Sequence, residues 1–304
     1  MLDDVRRLRL PLPERGVEIA LLDWGGEGPL ALLHHANGFC AATWDLVARG
    51  LTPHFRVVAM DGRGHGDSSA PEGQEAYAWR EFGADVAAVA HRLADELALP
   101  LALGLGNSFG GTSFLLAEAA EPGLFERLVL VDPVLVPAPA ASPGGASPVP
   151  GNARKLVEAT AQRSAVFPDR ATARAGWADK PLFAGWRPRA LDLYVAEGLA
   201  DRPDGQVELK CAPRVEAAVF ANGAGSGIWD CPERVKPPTR LLWSRRGDFP
   251  LALFERYAAR MPQAELVDFD AGHLAPMESP EQVVDAVIEF AGPGRRPAAR
   301  TSTG

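Results

Sequence analysis

The stretch that most constrains the fold is "LALGLGNSFGGTSFLLAEAA", residues 101–120. It begins as a short apolar strand, turns through glycines around one serine, and runs on as an apolar helix. A strand with no polar face has to be covered on both sides, as in a parallel sheet layered between helices. A reversal this tight needs small neighbours, because strand and helix backbones pass close there. It also holds the serine in strained geometry above the C-terminal edge of the sheet, where open α/β sheets gather ligands.

The same rhythm continues on either side. "GVEIALLDW", "PLALLHH" and "FRVVAM" read as strands, "WDLVARGL" as a short helix, and 76–98 as a long amphipathic one. "RLVLVD" is a further strand. From about 240, "RLLWS" and "AELVDFD" are strands, 251–261 is a helix, and 279–291 is a last helix with Ser279 as N-cap and Pro280 at its first position. Between the halves lies a different texture. Residues 133–153, rich in Pro, Ala, Gly and Ser, break regular structure and lead into a helix-prone stretch to 235. The expected organisation is a core of 1–133 and 236–292, an inserted lid of 134–235, and a disordered tail of 293–304. Trp177, Phe183, Trp186, Tyr194, Phe220 and Trp229 read mainly as the lid's own small core, with one or two of them lining a pocket.

Composition narrows the partners. The net charge is −8 with no basic run of note, which argues against nucleic acid as a partner. No apolar run approaches the ~18 residues of a membrane span. "MLDDVRRLRLPLP" carries early acids and no long apolar core, unlike a signal peptide. Cys40, Cys211 and Cys231 are odd in number and not spaced as metal ligands, so a reducing, cytoplasmic setting is expected. No glycine-rich phosphate loop competes for the turn, and neither metal nor organic cofactor is expected.

Gly106-Asn107-Ser108-Phe109-Gly110 fits the G-x-S-x-G pattern between a strand and a helix, the setting in which that pattern presents a nucleophile. A hydroxyl needs a base. Of six histidines, only His273, in "DFDAGHLAPMESPEQV", sits in a loop directly after a late strand; His91 falls in a helix and His65 in a turn.

With "HHANGF", "DGRGHGDSS", the serine turn, "LVLVDPV" and "AGHLAPMESPEQV" in this order, residues 16–291 resemble the α/β-hydrolase superfamily. "HHANGF", "WREFGADV" and "LVDPV" are similar to a subgroup of bacterial serine hydrolases. The resemblance implies an α/β-hydrolase fold, a mostly parallel sheet flanked by helices with an inserted helical lid. It implies an oxyanion hole from the backbone N–H of Phe109 and of Asn37, with Ala36 where the family usually has glycine. Asp61, Arg63, His65 and Gly66 would fix a turn. For the acid that orients His273, Asp132 and Asp248 both keep the order Ser…Asp…His. Asp132 is preferred because it ends a strand beside the nucleophile's, as in some lactone-cleaving relatives, whereas Asp248 lies in the exposed-looking "SRRGD".

Serine at the turn argues against dehalogenases and epoxide hydrolases of this fold, which use aspartate there. The expectation is a serine esterase acting on a small-molecule ester or lactone through an acyl-enzyme on Ser108. The alternatives are carbon–carbon bond hydrolysis and a non-catalytic ligand-binding protein of the same fold.

Overall fold

The computed structural model describes residues 2–135, 137 and 151–292; most of the proline-rich stretch and the expected tail lie outside them. In chain order come β1 (Arg6–Leu12), β2 (Val17–Gly25), β3 (Leu30–His34), α1 (Asp45–Leu51), β4 (Arg56–Met60), α2 (Trp79–Leu97), β5 (Leu101–Asn107), α3 (Phe109–Ala120) and β6 (Arg127–Val131). An inserted segment follows: α4 (Gly151–Ala161), β7 (Val166–Phe167), α5 (Arg170–Ala178), α6 (Pro188–Glu197), β8 (Leu199–Asp201), β9 (Val207–Leu209) and α7 (Pro213–Asn222). The chain then returns through β10 (Thr239–Ser244), α8 (Leu251–Ala258), β11 (Ala264–Phe269), α9 (Ala275–Glu278) and α10 (Pro280–Ala291).

Eight strands form one sheet in the order β1-β2-β4-β3-β5-β6-β10-β11. β2 pairs antiparallel with β1 and β4, and the strands from β4 through β11 run parallel. Strand β3 shows why its sequence is apolar from Leu30 to Leu33. Leu30 and Leu32 face the apolar layer of α2, α3 and α8, while Ala31 and Leu33 face that of α1 and α10. Side chains alternate across a strand, so a sheet covered on both faces asks for apolar residues at every step. From β3 the chain steps outward to β4 and then returns to β5 on the other side. That reversal opens a crevice between the C-terminal ends of β3 and β5.

Some elements depart from the sequence expectation. β1 was not anticipated; it is an edge strand, where Pro11 costs no ladder hydrogen bond. Helix α2 begins at Trp79, because Gln74–Tyr77 forms a 3-10 turn that ends at Ala78 in an extended conformation. Ser279 stands at the N-cap of α10 with Pro280 behind it, but its side chain makes no capping hydrogen bond. The inserted segment is not purely helical: β7, β9 and β8 form a small antiparallel sheet. Among the described residues, no helix is long and apolar enough to cross a membrane.

Nor is the core of the inserted segment its own. Trp177 stacks on Phe183 and Tyr194, with ring centroids 5.7 and 5.0 Å apart. Phe39, from the loop after β3, joins this group 5.2 Å from Trp186 and 5.1 Å from Tyr194. Such ring pairs contribute about 1 kcal/mol each beyond the area they bury. Trp229 stands apart, edge-on to Tyr257.

Candidate active site

Ser108 sits at the top of β5 with φ 54° and ψ −123°, one of three non-glycine residues with positive φ among the described residues. Two glycines make that reversal possible. A Cβ on Gly106 would lie 2.5 Å from the backbone nitrogen of Gly111, and one on Gly110 would lie 2.3 Å from the carbonyl oxygen of His34. Both obstacles are backbone, so neither can yield cheaply. The fingerprint is therefore a record of three chain segments touching: β5, α3 and the end of β3.

His273 Nε2 lies 2.8 Å from Ser108 Oγ, and its Nδ1 lies 2.6 Å from Asp132 Oδ2. Asp132, another positive-φ residue at φ 45°, is fully buried just beyond β6. Its second oxygen accepts from the Ser244 amide at 3.1 Å, so both carboxylate oxygens have a donor. A Cβ on Gly247 would come 2.7 Å from Asp132 Oδ2, which places the loop after β10 directly over the carboxylate. Asp248, in that same loop, is exposed and is not brought to His273; its neighbour Phe249 sets its ring edge-on to the imidazole, 5.4 Å away. Of the two candidate acids, the fold gathers Asp132 and leaves Asp248 outside, because the loop turns its glycine rather than its aspartate inward.

Two residues absent from the sequence expectation hold His273 in place. Asn107 Nδ2 donates to the carbonyl of His273 and to that of Val131, both at 2.9 Å, tying the histidine loop to the serine strand. Glu278 accepts from the amides of Gly272 at 2.9 Å and Leu274 at 3.3 Å, one on each side of the histidine. Neither leaves a local pattern; a carboxylate five residues after a loop histidine looks like any first-turn acid.

Phe109 N–H opens α3, and the first amides of a helix lack an intrahelical acceptor. Asn37 lies across the crevice in the loop after β3, its side chain buried between His65 Nε2 at 3.0 Å and the carbonyl of Glu216 at 3.1 Å. Below this loop are three buried histidines. Burial pushes His34 and His65 down to about 4, and His35 well below its ordinary value. The turn at 61–66 is braced as expected. Asp61 accepts from the amides of Ala41 and Asp67, and Arg63 makes paired bonds of 2.6 and 2.7 Å with Asp85.

A cavity of about 410 Å³ opens above Ser108 and His273. Its floor is Ala36, Asn37 and Gly38; Trp177, Phe183, Tyr194 and Phe220 of the inserted segment supply apolar wall. The expectation of one or two pocket-lining aromatics was therefore too low, while Trp186 packs behind Phe39 rather than in the lining. Among the described residues, no group of three or more His, Cys, Asp or Glu side chains is placed to hold a metal ion.

A model of the alpha/beta hydrolase family matches residues 31–286. The chain belongs to the alpha/beta hydrolase family. It is 27% identical over 294 residues to the lipase LipV of Mycobacterium tuberculosis, covering 91% of this chain and 99% of that one. It is 36% identical over 122 residues to a non-heme chloroperoxidase of Streptomyces lividans; the match takes in 39% of this chain and spans only 42% of the relative. The solved structure of E-2-(acetamidomethylene)succinate hydrolase superposes with a TM-score of 0.74 at 22% identity, covering 94% of this chain and 98% of that one, a likeness of fold. Family and relatives support hydrolase activity on a small molecule.

Proposed function

We propose that the protein is a serine hydrolase that cleaves a carboxylic ester or lactone through an acyl-enzyme on Ser108. The observation that carries this reading is the continuous relay from Ser108 Oγ through both nitrogens of His273 to the buried Asp132, at 2.8 and 2.6 Å. In this reading Ser108 O–H donates to His273 Nε2, and Nδ1–H donates to Asp132, which fixes the tautomer and stabilises the imidazolium. The serine oxygen attacks the carbonyl as its proton passes to Nε2. The amides of Phe109 and Asn37 receive the oxyanion, in a site where donors are held before charge develops. His273 then gives its proton to the leaving alkoxide and takes one from water; the resulting hydroxide attacks the acyl carbonyl, and as the carboxylic acid departs His273 returns its proton to the Ser108 oxygen. For a lactone, alcohol and acid leave as one hydroxy acid.

The inserted segment acts as a lid whose aromatic wall selects the substrate's apolar part.

The test is intact-mass measurement after treatment with a fluorophosphonate, beside turnover of p-nitrophenyl butyrate and a γ-lactone. One adduct on the wild-type chain, none on Ser108→Ala, and turnover reduced at least about 10³-fold in the variant are expected. An unlabelled wild-type chain without turnover would leave the ligand-binding alternative standing.

A further inference from the structure

The loop 36–39 brings one of the two oxyanion amides, yet little within the loop determines its shape. Its backbone is closed by a single turn bond, from Phe39 N–H to the carbonyl of Ala36 at 3.2 Å. Gly38 lies at φ +83°, a region open to glycine and therefore not self-enforcing. From below, the loop is held by His35 Nδ1, which donates to the Ala36 carbonyl at 2.8 Å, and by His65 at Asn37 Oδ1. Every other polar hold on its side chains and on Gly38 comes from the inserted segment above.

Those holds are specific. The Tyr194 hydroxyl, from α6, donates to the carbonyl of Gly38 at 3.0 Å. Asn37 Nδ2 donates to the carbonyl of Glu216, on α7. The Glu216 carboxylate then lies flat against Gly38, so close that a Cβ there would be 2.7 Å from Oε1. Arg163, just after α4, faces that carboxylate at 2.7 Å. Tyr194 is buried among four rings at the edge of the cavity, 3% exposed. If the loop shifted, a buried hydroxyl would be orphaned at a cost of about 1–3 kcal/mol, and that cost resists the shift.

We propose that Tyr194 and Glu216 are positioning residues: through them the inserted segment sets the loop 36–39, and hence the aim of the Asn37 amide. The proposal rests on the serine-hydrolase reading for its kinetic consequence, though not for its structural one. An oxyanion donor acts in the transition state more than in the ground state, so its loss falls on kcat and leaves KM nearly unchanged. The inserted segment then does more than shape the pocket. Its docking completes the electrostatic half of the site.

The experiment uses the full chain with Tyr194→Phe, which keeps the ring and removes only the hydroxyl, and Glu216→Gln, which keeps the shape and the backbone acceptor. Asp192→Asn, on the exposed face of the same helix as Tyr194, is the control. With p-nitrophenyl butyrate, Tyr194→Phe should lower kcat about tenfold with KM within twofold. It should weaken a trifluoromethyl ketone, which forms the tetrahedral adduct, by a similar factor. Hydrogen exchange in the peptide covering 36–40 should quicken several-fold while that covering 106–113 is unchanged. Glu216→Gln should show the same pattern more weakly, and Asp192→Asn should match the wild type. Loop exchange and kcat both within twofold of wild type in Tyr194→Phe would overturn the proposal, as would a loss carried by KM or faster exchange across all peptides. A wild-type chain that neither labels with fluorophosphonate nor turns over would sink the hydrolase reading alone. Exchange in the loop would still decide whether Tyr194 holds it.

Discussion

The turn at Ser108 and the cavity wall facing it differ in what holds their side chains. At the turn, backbone is pressed on backbone: β5, α3 and the end of β3 meet so closely that positions 106 and 110 have no room for a methyl group. The relay completes itself from the ends of three strands in one sheet, β5, β6 and β11. Across the cavity, by contrast, rings lean on rings. Trp177, Phe183 and Tyr194 stack at 5.0–6.1 Å and reach the core through Phe39. Contacts among rings permit many arrangements of similar energy, whereas a glycine-locked turn permits one. In the proposed reading, the chemical step, which tolerates little displacement, would rest on the rigid region and substrate choice on the adaptable one.

Four substitutions or conditions probe that division. The largest effect belongs to the relay. Asp132→Asn should reduce ester turnover about 10⁴-fold, while Asp248→Asn stays within twofold of wild type. Equal losses in the two variants would mean that the carboxylate touching His273 is not the one that orients it. Next comes the turn itself. Gly110→Ala forces a methyl group against the His34 carbonyl and should cost about 4 kcal/mol in urea unfolding or prevent folding altogether. A stability within 1 kcal/mol of wild type would show that the turn is softer than its contacts imply.

A third probe is acid. The folded-state pKa values of His34, His35 and His65 are depressed, so each contributes stability above its unfolded pKa that is lost as pH falls toward the folded one. Between pH 7 and 5 each should give up about 2 kcal/mol. Burial raises Asp61 and Glu216 to about 6, and the stability linked to such groups grows as pH falls. They return about 1 kcal/mol each over the same interval, and Glu118, also raised by burial, returns some more, so the net change remains a loss. Denaturant titrations at both pH values read this directly; a flat profile would place the imidazoles in water. The smallest effect is expected on the adaptable side. Leu182 lines the cavity and is 53% exposed, so Leu182→Ala should raise KM for an apolar ester about threefold, with kcat and melting temperature little changed. A fall in kcat instead would tie this wall to the chemistry.

The same contrast explains what could be read from the sequence. Ser108, His273 and the strand rhythm around them were legible because close backbone approach and two-sided burial dictate residue type: glycine at 106 and 110, apolar residues from 30 to 33 in β3. Asp132 could be preferred over Asp248 from its place on the sheet, and the fold brings Asp132, not Asp248, to His273. Asn107 and Glu278 were not singled out, and Tyr194 was named only as one of the inserted segment's aromatics, since each acts through a hydrogen bond to a backbone group that no spacing rule predicts. For Tyr194 that partner is 156 positions away. The small sheet of the inserted segment was missed for a related reason: strands of two or three residues are too short to show a period.

Gly247 turns the "SRRGD" loop into something other than a surface ornament. It covers the Asp132 carboxylate with the one residue thin enough to fit, and its backbone is not in the left-handed region. A larger residue could therefore be tolerated by the chain there while acting as a wedge on the carboxylate beneath. The side-chain size at 247 thereby bears on where the Asp132 carboxylate lies, set from outside the three side chains that meet there and without altering any of them.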